Sequence, residues 1–274
     1  VILGKTKNMR ALITLLISSA LIYSCKSDGK NGNDRIENAA SVNDTLVEQE
    51  RDSALVEIEP IAHATAVITI DTTTIYLDPT GGAEAFDGLD PADLVLITDI
   101  HGDHLHPETL QALKLEDTPI IAPQAVNEQL SDSLKQNVSI LANNETLEEQ
   151  GISIEAIPMY NLREEAKQYH EKGRGNGYVL EKNDTRIYIA GDTEDIPEMR
   201  ALEDIDIAFI PMNLPYTMTV ESAADAVLEF APKKVYPYHF RGTEGKADVE
   251  KFKQLVNEGN KDIEVVMLEW YPGE

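Results

Sequence analysis

The apolar, β-rich stretch ADLVLI (Ala92–Ile97) runs directly into TDIHGDHLH (Thr98–His106), which holds three of the chain's six histidines and two aspartates. A run of this kind reads as a buried strand, and a strand apolar on both faces must be covered on both sides. Pro107 then opens PETLQALKL, a helix with proline at its first position and an acid in its first turn. The cluster therefore stands where a central strand hands over to a helix, the edge at which α/β folds gather ligands and catalytic groups. Such residues serve either as a solvated acidic turn or as ligands for a metal.

The rest of the chain supplies the covering layers. Strand-like stretches ALVEIEP, TAVITID and TIYLDP precede the cluster, and TPIIA, a helix over AVNEQLSDSLK, VSIL and SIEAIPMY follow it. GYVLEK and RIYIAGD form a hairpin around Asn183-Asp184. Strands DIAFIPM, KVYPYHF and IEVVMLE then alternate with helices TVESAADAVLEFA and ADVEKFKQLVNEG. Hairpins and βα units occur in both halves, so two sheets flanked by helices are the natural packing. The folded domain is expected over residues 54–274, ample for one core.

The N-terminal segment reads differently. Lys5, Lys7 and Arg10 precede the apolar ALITLLISSALIYS, the pattern of a secretory signal over residues 1–24, with Met9 a candidate start. The run is short for a membrane span, which needs about 20 apolar residues. IYSC (Ile22–Cys25) resembles a bacterial lipobox, apart from its Tyr23, which implies lipid on Cys25. The polar, acidic residues 25–53 read as a flexible tether. The expectation is an exported lipoprotein facing the periplasm or cell surface, in contact with membrane through its lipid alone. Cys25 is the sole cysteine, so disulfides and thiolate ligands are excluded from the folded part. With 49 acidic against 23 basic residues, the net charge of −26 repels nucleic acid and anionic headgroups.

Further candidates also stand at or beyond strand ends: His170 in a loop before EKGRGNG, Asp192 at the end of RIYIAGD, and His239 at the end of KVYPYH. Taken together, D-x-H-x-D-H, the lone His170, GDT and YPYH resemble the metallo-β-lactamase-fold hydrolases. AHAT, YLDP and YTMTVESAADAV are similar to the compact branch that includes the ascorbate-phosphate lactonase-like proteins. The resemblance implies a four-layer αββα sandwich and two divalent metal ions, zinc foremost, with manganese or iron as alternatives. One ion would be held by Asp99, His101 and His170, the other by Asp103, His104 and His239, with Asp192 bridging. Alternation along an extended segment turns Asp99 and His101 to one side, and Gly102 lets the chain turn so that Asp103 and His104 reach a second ion.

Asp99 departs from the family pattern, which has histidine there. An extra carboxylate would leave the centre formally neutral, favour harder ions and raise the pKa of a bound water. The alternative is that Asp99 stands behind the ligands and the first ion is weak or absent. The resemblance implies hydrolysis of an ester, lactone or phosphodiester of a small or lipid-derived substrate by a hydroxide held between the ions, with Asp103 orienting it. No G-x-S-x-G elbow offers a serine nucleophile. His63, Asn213, Tyr216, Thr217 and Arg241 are candidates for substrate contact; His106, at a helix start, fits capping better than ligation. The competing class is a non-catalytic lipoprotein that binds a ligand or metal on the same fold.

Overall fold

The computed structural model describes residues 53–273 except Glu116. The expected signal, Cys25 and the tether up to residue 52 lie outside the described residues. The first sheet follows chain order: β1 (Val56–Ala62), β2 (Thr65–Ile70), β3 (Thr73–Leu77), β4 (Leu94–Leu96), β5 (Ile120–Ala122) and β6 (Val138–Ile140). β1 to β3 form an antiparallel meander, and β3 to β6 are parallel. Parallel neighbours need crossovers, supplied by α1 (Pro107–Ala112), α2 (Gln124–Gln129) and α3 (Asp132–Lys135).

The second sheet repeats this plan. Its strands are β7 (Thr146–Glu149), β8 (Ile152–Met159), β9 (Gly175–Lys182), β10 (Thr185–Ile189), β11 (Ile207–Pro211), β12 (Lys234–Tyr238) and, beyond a small ribbon of β13 (Arg241–Gly242) and β14 (Gly245–Lys246), β15 (Glu264–Val265). They lie in the order β15-β12-β11-β10-β9-β8-β7. The hairpin half is antiparallel and the remainder parallel, crossed by α4 (Pro197–Arg200), α5 (Val220–Phe230) and α6 (Val249–Gly259). Asn183 and Asp184 both carry positive φ at the β9–β10 turn, the conformation a two-residue hairpin requires.

Side-chain alternation creates the layers. Leu94 and Leu96 join the core between the sheets, with Ile154, Tyr178 and Leu180 of the second sheet. Val95 and Ile97 point the other way, into a separate core with Leu110 of α1 and Val126 of α2. Val227 and Phe230 of α5 and Phe252 of α6 cover the far face of the second sheet. The result is the expected αββα sandwich, and the apolar run in β4 is explained by burial on both faces.

Two local readings change. The helix expected over residues 125–135 is broken, because Leu130 and Ser131 are extended (ψ 156° and 155°). Ser131-Asp132-Ser133 is poor helix material, and the break lets both Leu130 and Leu134 be buried. β7 was not anticipated: TLEE alternates between exposed and half-buried at the sheet edge, too polar to stand out by hydrophobicity.

Candidate metal centre

β4 ends at Leu96, and Thr98 to His106 form the turn before α1. His106 caps that helix, its Nδ1 accepting the Thr109 backbone N–H at 3.2 Å, and so serves the helix rather than the cluster. Asp99, His101, Asp103 and His104 rise from this turn. Asp192 follows β10, His239 follows β12 and His170 precedes β9, so both sheets deliver side chains to one rim. His239 and two neighbours of the cluster, His63 and Asp78, hold unusual backbone, with φ of 47°, 56° and 43°. Left-handed conformations at non-glycine residues cost energy and persist where the surroundings enforce them, often at functional sites.

The buried Asp192 carboxylate is the hub. Its Oδ2 lies 3.1 Å from His170 Nε2 and 3.4 Å from His104 Nε2, while Oδ1 lies 3.1 Å from His239 Nε2. His104 and His239 present their Nε2 atoms to each other at 3.1 Å. The opposite ring nitrogens explain this aim. His104 Nδ1 donates to Asp78 Oδ2 at 2.8 Å, and Asp78 also accepts from the Thr98 backbone N–H and hydroxyl at 2.7 Å each. His239 Nδ1 is 3.1 Å from the Asn213 side-chain amide, and His170 Nδ1 is 3.2 Å from that of Asn161. The Asp78 carboxylate accepts the Nδ1 proton of His104 and leaves its Nε2 as the lone-pair nitrogen, the arrangement that orients metal-ligating histidines, while the Asn213 and Asn161 amides fix the rings of His239 and His170 in place.

A cation fits this arrangement. Asp192 Oδ1 is buried and makes no aligned hydrogen bond, its one close cationic neighbour being His239 Nε2 at 3.1 Å, and a buried carboxylate oxygen is costly unless positive charge meets it. Asp99, His101 and His170 can bring one ligand atom each within 4.8 Å of one another, as can His104, Asp192 and His239. A third such set joins His63, Asp103 and His239. Asp103 stands at the rim, its side chain 41% exposed, 3.4 Å from His239 Nε2 and 3.9 Å from His104 Nε2. The expected grouping is thereby refined: Asp192 lies closer to the His104–His239 pair than Asp103 does, while still touching His170.

Charge in the cluster is strongly polarised. Burial opposes a charge on His104, but Asp192 and Asp78 outweigh it and hold its pKa well above the ordinary value. His239 is raised against burial in the same way, by Asp192 and Asp103. Despite desolvation, Asp192 is held well below the usual carboxylate range by His239, His104 and His170. Asp103 is depressed despite burial by its hydrogen bonds to His239 and His63. A metal ion would replace these imidazole protons as the positive partner of the carboxylates.

The substrate candidates fare unequally. Asn213 and Tyr216 line a cavity of about 290 Å³ with His101, Asp103, Tyr169, His170 and Asp192. His63 reaches Asp103, with Nε2 3.4 Å from Oδ2 and Nδ1 2.9 Å from the Tyr271 hydroxyl. Thr217 is a correction: it is fully buried, and its hydroxyl donates to Asn213 Oδ1 and accepts the Asn213 backbone N–H. It fixes Asn213 and cannot meet substrate. Arg241 lies over the Tyr271 ring, 4.3 Å from its centroid, outside the cavity lining.

Sequence reasoning passed over Asp78, Asn161 and Arg174. Asp78 carried a signal, a buried-strand ending in LDP, but no partner four or fewer residues away. Arg174 sits between two glycines, a setting that marks a loop rather than a site, yet its guanidinium clasps Asp99 side-on, Nε to Oδ1 at 3.1 Å and Nη2 to Oδ2 at 2.8 Å. The formal neutrality expected from the extra carboxylate is therefore revised, because Arg174 cancels the charge of Asp99.

Comparisons with known proteins agree with this geometry. The profile of the family described as "Beta-lactamase superfamily domain" matches residues 57–239. A metal-dependent hydrolase of Pyrococcus horikoshii is 32% identical over 230 residues, covering 80% of this chain and 98% of its own. A structure from Parabacteroides distasonis, named as a metal-dependent hydrolase, is 39% identical with a TM-score of 0.70 and covers 80% of this chain and 94% of its own. The metallo hydrolase Igni18 of Ignicoccus hospitalis shares the fold (TM-score 0.66, 23% identity, 80% of this chain and 96% of its own). By profile, relatives and fold, this chain belongs to the metallo-β-lactamase-fold family and is a metal-dependent hydrolase.

Proposed function

We propose that the chain hydrolyses an ester, lactone or phosphodiester bond of a small or lipid-derived substrate at the rim centre. The proposed ligands are Asp99, His101 and His170 on one side and His104, His239 and Asp103 on the other, with Asp192 between them. The observation that carries this reading is the convergence of three Nε2 atoms on one buried carboxylate. Two divalent ions, with zinc the first choice, would supply acidification of a water and polarisation of the oxygen under attack.

The chain's own residues do the rest. Asp103, at the open side of the cluster and held anionic by His239 and His63, accepts a hydrogen bond from the attacking water and sets its direction. Asp192, buried and anionic, balances the positive charge of both halves. Tyr169 and Tyr216 pack edge to face at 5.0 Å on the cavity wall and limit water access. The cavity is at the small end of ligand pockets, which run from about 300 Å³ upward, so it suits a compact reacting group. A neighbouring cavity of about 670 Å³ shares His170 and includes Tyr160 and Leu162, and would receive the rest of a longer substrate. Export as a Cys25-lipidated protein would place this centre beside a membrane.

The test is metal content by plasma mass spectrometry of the chain purified without chelator, followed by a panel of esters, lactones and phosphodiesters. Chelation should abolish turnover and added metal should restore it. Turnover indifferent to chelation would refute the reading.

A further inference from the structure

The two halves of the centre are backed by opposite charges. Behind His104 stands the anion Asp78, and behind His239 the neutral amide of Asn213. Asp192 Oδ1 has only His239 Nε2 beside it, at 3.1 Å and without an aligned hydrogen bond. The Asp99 half differs. Both Asp99 oxygens accept from Arg174, Oδ2 also meets His101 Nδ1 at 2.8 Å, and the side chain is fully buried. Arg174 is itself held, its Nη2 donating to the Tyr169 carbonyl at 2.5 Å. The backbone beside it packs onto the same strand end: Asn176 N–H donates to the Thr98 carbonyl at 2.9 Å. A Cβ on Gly175 would lie 2.9 Å from that carbonyl and 3.3 Å from Asp99 Oδ1. The guanidinium is thus built against Asp99 rather than resting there by chance.

We propose that Arg174 holds the Asp99–His101–His170 half at lower metal affinity than the His104–Asp192–His239 half, so that the two positions fill in order. This rests on the metal-centre reading above. A fixed cation beside the donor carboxylate cancels the charge that would attract an ion, and an ion taking Asp99 Oδ2 competes with hydrogen bonds already made there. In the other half the donor Asp192 meets only imidazoles that are themselves candidate ligands, with no fixed guanidinium on it, and Asp78 orients His104. Residues behind metal ligands change affinity by about 10–100-fold, which sets the scale of the gap.

The experiment is a calorimetric titration of the metal-free chain with Zn²⁺, repeated with Co²⁺ and followed by absorbance. The expected result is one tight step and a second step about 10–100-fold weaker. His170→Ala should remove the weak step and keep the tight one. Arg174→Met should tighten the weak step tenfold or more, while Arg174→Lys, which keeps the charge, should retain most of the gap. Two equal steps in the unaltered chain, loss of the tight step in His170→Ala, or a gap unmoved by Arg174→Met would each overturn the proposal. If Arg174→Met fails to fold, Arg174→Gln takes its place with the same expected tightening, and the unaltered chain and His170→Ala can still refute the ordered filling. No uptake of either ion at any step would instead overturn the metal centre itself.

Discussion

Asp103 and Asp192 are carboxylates of one cluster, yet their surroundings give them different work. Asp192 is buried among three imidazoles, so Asp192→Asn should abolish both metal retention and turnover, read by mass spectrometry and by rate. Asp103 is at the rim, and Asp103→Asn should leave much of the bound metal while lowering kcat by about 10²-fold, the scale lost when a reacting group is misplaced. Asp78 touches neither cavity nor substrate. Asp78→Ala should weaken metal binding by about 10–100-fold through loss of the His104 orientation; unchanged affinity would show that Thr98 suffices to hold the ring. At this scale the D-x-H-x-D-H pattern was legible because its members lie one to five residues apart in a single turn after β4. Arg174 was not: it meets Asp99 from 75 positions away, and nothing local distinguishes such an arginine from a solvated one.

Elements place these residues through close contact between the two sheets. Gly175 opens β9 with room for no side chain, since a Cβ would stand 2.2 Å from Met159 Cε and 2.9 Å from the Thr98 carbonyl. The methionine can swing aside, but the backbone carbonyl cannot. Gly175→Ala should therefore destabilise by about 1–3 kcal/mol, the cost of overpacking, measured by denaturant unfolding, and should disturb Asp99 on the way. The strands and crossover helices were readable from apolar runs and caps, such as Thr219, whose hydroxyl accepts the Ser222 backbone N–H at the start of α5. The polar edge strand β7 and the broken helix at Leu130–Ser131 were not, because pairing and burial rather than local propensity decide them. The proposed lipidation also rests on a local signal: labelled fatty acid should be incorporated into the chain, and Cys25→Ala should abolish that incorporation.

For the whole molecule, pH acts through the centre and through buried phenols. The raised pKa values of His104 and His239 mean that, without metal, protons stabilise the cluster below about pH 6.5 and that this contribution fades as pH rises through the folded values. Metal requires the neutral rings, so its affinity should fall on acidification. The difference in Tm between loaded and metal-free chain should accordingly widen from about pH 5 to pH 8, which scanning calorimetry can read. Burial raises Tyr178, Tyr188 and Tyr238, and pushes Tyr271 up to about 12. The unfolded chain ionises near pH 10 while these phenols stay neutral in the fold, so stability should decline above about pH 10. A flat Tm from pH 9 to 11 would contradict this burial.

By itself the sequence determined the layered α/β class, the rim on which the histidines gather and most of the ligand types, because side-chain periodicity and strand-end placement are local properties. Only the tertiary structure decided how those residues are backed. Asp78 behind His104, Asn161 behind His170 and Arg174 on Asp99 are contacts between distant segments, and their partners follow from how two sheets approach each other. Charge balance within the centre depends on those contacts. The side chains that gather at the rim were therefore legible in the chain, whereas the difference between the two halves arises only on folding.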